Sequence, residues 1–134
     1  MKSILLVTAI SAVLSLNACD KDHDKGTREE NVGLGKCHTE DLGDDKVSLC
    51  YDKLVEDSRC PKDVVCVRGG PAVGQFTFTV NADKHILTLA TGKAGTYSTD
   101  TTIGRYHIEL QDIAPFPRDR QPQSAGATLL ITRQ

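Results

Sequence analysis

Beyond residue 46 the apolar positions repeat with a period of two. Val47, Leu49 and Tyr51 alternate with Ser48, Cys50 and Asp52. Phe76, Phe78 and Val80 alternate with Thr77 and Thr79, and Tyr106, Ile108 and Leu110 alternate with His107, Glu109 and Gln111. Such alternation marks strands with one dry and one wet face. Residues 85–90 and 127–132 are more uniformly apolar, which predicts deeper strands, and Val64–Val67 is a short β-branched piece that reads as another. Turn-forming stretches separate these segments: Arg68-Gly69-Gly70-Pro71, Asn81-Ala82-Asp83, residues 92–95, and the connection from Pro115 to Gly126. No segment carries a sustained helical stripe. The pattern predicts an all-β domain of about six to seven short strands, an antiparallel β-sandwich or small barrel, over residues 37–134.

The first part of the chain has a different pattern. Lys2 precedes an apolar run at residues 4–16, too short for a comfortable transmembrane helix and suited to a secretory signal. The run ends in Leu16-Asn17-Ala18-Cys19, which resembles the bacterial lipobox. The resemblance implies a lipoprotein signal peptide over 1–18, lipidation of Cys19 and a membrane anchor made by its acyl chains. Residues 20–36 are charged and nearly free of large apolar groups, so residues 19–36 read as the lipidated Cys19 and a flexible charged tether. His23 among aspartates belongs to that solvated stretch. The implied location is the cell envelope, with the outer membrane favoured. Asp20 resembles an inner-membrane retention signal, and the cluster Asp20, Asp22, Asp24 resembles a surface-export signal; the sequence does not choose between them.

Composition narrows the partners. The formal net charge is −2, which excludes the basic surplus expected of a nucleic-acid binder. Trp is absent and aromatic residues make up 4 % of the chain, leaving little material for stacking platforms. Five cysteines are many for this length and, outside the cytoplasm, point to disulfides. With Cys19 assigned to lipid, four remain. Cys60 and Cys66 flank Pro61, so the chain can double back and pair them, for roughly 2–2.5 kcal/mol by the loop-entropy argument. Cys37 and Cys50 are then left to join the domain's start to its first strand. Four cysteines allow three connectivities, so other pairings stay open.

Asp57-Ser58-Arg59-Cys60-Pro61, followed by Val64, Cys66 and Gly70, resembles a family of uncharacterised bacterial lipoproteins and secreted proteins. Leu87-Thr88-Leu89 with Thr91-Gly92, then Gly104, Tyr106, Ile108 and Leu110, then Ala114-Pro115-Phe116-Pro117 extend the resemblance over about residues 42–133. The chain departs from the pattern at Arg68-Gly69, where the family commonly has Trp-Ala. The resemblance implies a sandwich-like domain in the envelope and transfers no functional residue.

Catalytic chemistry finds little support. No Gly-x-Ser-x-Gly occurs, and Ser58 beside Asp57 has no histidine placed by sequence. Glu40, Glu56 and Glu109 read as solvated carboxylates. The Cys60–Cys66 spacing is too wide for a structural zinc knuckle; His38, His85 and His107 read as surface residues, and Asp41, Asp44 and Asp45 lack the rest of a calcium loop. The expectation is therefore no metal, no cofactor and no enzyme. It is a binding or structural module with an envelope protein as partner, and Arg59, Lys62 and Arg68 form a basic rim on the disulfide loop as the candidate binding loop. The alternatives are protease-inhibitor-like presentation of the disulfide loop that carries Arg59, a metal-binding envelope protein, and last a hydrolase.

Overall fold

A computed structural model describes residues 26–93, 95–117 and 125–134. The signal peptide, Cys19 and the first part of the expected tether lie outside the described residues. Eight strands form: β1 (Thr27–Gly33), β2 (Cys37–Leu42), β3 (Asp45–Asp57), β4 (Ala72–Val80), β5 (Asp83–Ala90), β6 (Asp100–Ile103), β7 (Tyr106–Ala114) and β8 (Gly126–Arg133). They make two four-stranded antiparallel sheets, ordered β1-β8-β7-β6 and β2-β3-β4-β5, packed as a sandwich. The chain therefore starts in one sheet, runs a four-strand meander through the other, and returns. The expected architecture holds, with eight strands in place of six or seven.

The alternating residues face each other across the sandwich. Val47, Leu49, Tyr51, Phe76, Phe78, Leu87 and Leu89 project from one sheet, and Val32, Tyr106, Ile108, Leu110, Ile113, Ala127, Leu129 and Ile131 from the other. Tyr51 stacks on Phe76 at 4.9 Å between centroids, and Phe78 meets Tyr106 edge-on at 5.8 Å. In β7 the register slips between Leu110 and Asp112, which returns Ile113 to the core side after two exposed residues.

Three expectations need correction. The tether does not extend to residue 36: residues 27–33 form β1, which pairs with β8 from Thr27↔Thr132 to Gly33↔Gly126 and buries Val32. Its other side chains are polar because it is an edge strand, where few neighbours demand apolar partners. Cys37 consequently opens the second strand of the domain. Val64–Val67 is not a strand; Val65 and Val67 are fully exposed on an irregular loop. Residues 85–90 and 127–132 are not uniformly deep. Ile86 is exposed at 67 % on edge strand β5, while Ala127, Leu129 and Ile131 of β8 alternate with half-buried partners.

Both sheets are tied together at the end where β3 begins. Asp45, buried at the start of β3, accepts a hydrogen bond from the Tyr106 hydroxyl of β7 at 2.6 Å and one from the Asn81 amide at 3.0 Å. Arg105 adds an ion pair at 2.8 Å. Asn81 also accepts from the Lys46 backbone and takes the left-handed conformation (φ 56°) that the tight β4–β5 turn requires.

Candidate functional site

Two regions gather polar chemistry. The first lies at the opposite end of β3. Arg59 follows β3 and turns its guanidinium inward, leaving the side chain 7 % exposed. Its Nε and Nη2 donate to both oxygens of Asp57 at 2.8 and 2.7 Å, a bidentate pair. Nη1 donates to the Ile113 carbonyl, and Nη2 also donates to the Pro115 carbonyl at 3.0 Å. The guanidinium carbon lies 4.6 Å from the centre of the Phe116 ring. Asp112 approaches Nη1 at 3.4 Å. The hydrogen bonds from Arg59 hold the Asp57 carboxyl below the ordinary carboxylate range, against the opposing effect of its burial. Ser58 donates to the Pro71 carbonyl at 3.0 Å, and the backbone of Gly70 lies so close that a Cβ there would sit 2.0 Å from the Ser58 hydroxyl.

These contacts explain the motif that carries the family resemblance. Arg59, held by Asp57, reaches the Ile113 and Pro115 carbonyls and the Phe116 ring that follow β7 of the other sheet and forms a lock, while Ser58 and Gly70 pack together beside it. The basic rim is thereby corrected: Lys62 and Arg68 are exposed, whereas Arg59 is buried. Arg59 itself is therefore not presented as a protruding inhibitor residue would be. The lock supports a loop closed by the Cys60–Cys66 disulfide, which exposes Val64 at 43 % and Val65 and Val67 completely. The second disulfide joins Cys37 of β2 to Cys50 directly opposite on β3. Both pairings therefore follow the expected connectivity.

The second region lies where edge strands β1 and β2 meet at one open side of the sandwich. Arg28, Glu30 and Val32 share the inward face of β1, and His38, Glu40 and Leu42 share that of β2, by strand alternation. His38 Nε2 lies 2.9 Å from Glu40 Oε1 and 3.5 Å from Glu30 Oε2. Arg28 holds the other oxygen of Glu40 at 3.1 Å. These side chains line a small cleft floored by Leu42, Val47, Leu49 and Ile131. Burial and the neighbouring Glu40 charge raise the Glu30 pKa. The hydrogen bond to Glu40 raises that of His38, and the same bond lowers that of Glu40.

Sequence reasoning noticed His38 and Glu40 singly and missed Glu30, because the charged composition around it reads as tether. The period-two spacing of Arg28, Glu30 and Val32 was the available signal. The other residues considered do not converge in this way. Glu56 and Glu109 lie on different sheets, and Asp45 is occupied by Tyr106, Asn81 and Arg105. His107 meets Thr102 at 3.1 Å on neighbouring β6, while His85 pairs with Phe78 in the β4–β5 register. Among the described residues no helix is long and apolar enough to cross a membrane. Compared with protein-family models, curated proteins and solved structures, the chain matches none.

Proposed function

We infer that this chain is a bacterial envelope lipoprotein, held to the membrane through lipid on Cys19, whose sandwich is a non-catalytic binding module. The signal and lipobox at residues 1–19 support the anchor, and the resemblance around Asp57–Pro61 agrees with it. The outer membrane is the favoured address. The observation that carries the binding reading is the position of Val65 and Val67: fully exposed apolar side chains on a disulfide-closed loop, supported from beneath by the Arg59 lock. Exposed apolar side chains on a loop closed by a disulfide favour protein contact.

The proposed anchor joins the domain through β1. β1 begins at Thr27, paired with Thr132, at the same end of the sandwich as Tyr106 and Asp45. The disulfide loop beyond Asp57 lies at the opposite end of β3, the end we assign to an envelope protein partner.

The test has two arms. Cys19→Ala should abolish lipid labelling and release the protein from membranes; retention there overturns the anchor. A photocrosslinker at Val65 should trap a discrete envelope protein that one at Lys84 does not, and Val67→Asp should abolish the product. Identical products from both positions, or none from Val65, would overturn the binding reading.

A further inference from the structure

We propose that Glu30, His38 and Glu40 form a binding site for one zinc-like divalent cation, which would bridge the two sheets at their open β1/β2 edge. The donor atoms of the three residues all lie within 4.8 Å of one another. His38 and Glu40 are two apart on one strand, so their side chains project in the same direction, and Glu30 approaches from the edge strand of the opposite sheet.

This arrangement is more than an acidic patch. An imidazole nitrogen is the point on which both carboxylates converge, at 2.9 and 3.5 Å. A single Nε2–H has one proton to offer two acceptors. A divalent ion in its place can take one lone pair from each of the three groups. These are contacts between donors, and an ion at about 2.0–2.2 Å from each needs only small side-chain adjustments on the two edge strands. The mixed nitrogen and oxygen donors suit zinc, whereas magnesium and calcium favour all-oxygen shells. Three protein ligands leave a fourth position for water.

The surroundings fit the same role. Arg28 engages Oε2 of Glu40, leaving Oε1 toward His38, so the arginine orients the carboxylate without occupying the same atom. The apolar floor of Leu42, Val47, Leu49 and Ile131 limits water on the inner side. Two carboxylates in mutual repulsion, with Arg28 and a protonatable His38 as the cationic groups of the cluster, gain from a further positive charge.

Sequence spacing could not reveal this site. The ligands come from two edge strands in different sheets, and local motif spacing reports only ligands supplied by one loop. The site is independent of the lipid anchor and of the disulfide-loop reading.

The experiment is zinc titration of the full chain, purified in detergent and stripped with chelator, read by calorimetry and by thermal melting. One zinc per chain should bind and raise the Tm. His38→Ala and Glu30→Gln should each weaken binding at least roughly tenfold and remove the zinc-dependent rise in Tm. Both positions are at the surface edge, so the variants should fold. His23→Ala, Asp41→Asn and His85→Ala should bind as the parent does. Zinc binding that survives His38→Ala, that is lost in His23→Ala, or that is outcompeted by equimolar calcium would overturn the site.

Discussion

The Arg59 lock makes a strong quantitative prediction. Arg59→Ala removes a bidentate partner from Asp57, whose side chain is 18 % exposed, and strips charged donors from the Ile113 and Pro115 carbonyls. Breaking a buried ion pair from one side costs about 3–5 kcal/mol, because the remaining partner is left uncompensated. Water can still reach part of Asp57, so the lower end applies, about 3 kcal/mol. For a domain of this size that is roughly a 12 °C fall in Tm. Arg59→Lys keeps the charge but loses the fork and the ring contact, so it should fall between. The pH profile adds a second readout. Asp57 has a depressed pKa in the folded state, so its contribution is present above the unfolded carboxyl pKa and is lost as pH falls through the folded one. Without the Arg59 side chain, burial is opposed only by the backbone N–H of residue 59, so the carboxyl pKa should move up toward its unfolded value and the acid limb of stability should flatten. Circular-dichroism melts of both variants from pH 3 to 7, with Asp57→Asn closing a double-mutant cycle, measure all of this. A Tm for Arg59→Ala within about 3 °C of the parent, or an unchanged acid limb, would refute the lock.

Two further predictions follow from the other ties. Tyr106→Phe should lower the Tm by a few degrees and flatten the acid limb, because the Tyr106 hydroxyl is the leading cause of the depressed Asp45 pKa and that stability is lost as pH falls; a parent-like pH profile would contradict it. Cys60→Ser/Cys66→Ser should cost about 2 kcal/mol and leave the domain folded, with thiol titration of the parent finding both cysteines blocked; a double variant as stable as the parent would remove the disulfide's structural role.

Strand interiors were legible because their signal is local. Phe76-Thr77-Phe78 and Tyr106–Leu110 announce a dry and a wet face without reference to any partner. The Cys60–Cys66 pair was legible because six residues and a proline constrain closure by themselves. What was misread depends on distant chain. β1 is a strand because β8 supplies its hydrogen bonds, and only Val32 betrays an inward face. Val64–Val67 has strand composition, yet the disulfide bends the chain and no neighbouring strand pairs with it among the described residues. Arg59 reads as a surface cation until Ile113 and Pro115, more than fifty positions away, provide carbonyls for it. Glu30, His38 and Glu40 are ordinary polar residues until the two sheets stack.

The ties between sheets have a common logic. β3 and β7 lie in opposite sheets, and polar contacts join them near both of their ends. At one end Asp45 of β3 meets Tyr106 of β7; at the other, Arg59 beyond β3 meets the carbonyls of Ile113 and Pro115 at the end of β7. Apolar packing between two sheets resists separation but is weakly directional, so it does not by itself forbid sliding of one sheet over the other. A charged hydrogen bond at each end of the same strand pair does, because any slide breaks both. The edge formed by β1 and β2 lies away from both knots, and there the sheets are joined by Arg28, Glu30, His38 and Glu40. That third junction is the most exposed and the only one of the three built around a histidine. It is therefore the junction at which the proposed cation would join the two sheets without touching the core.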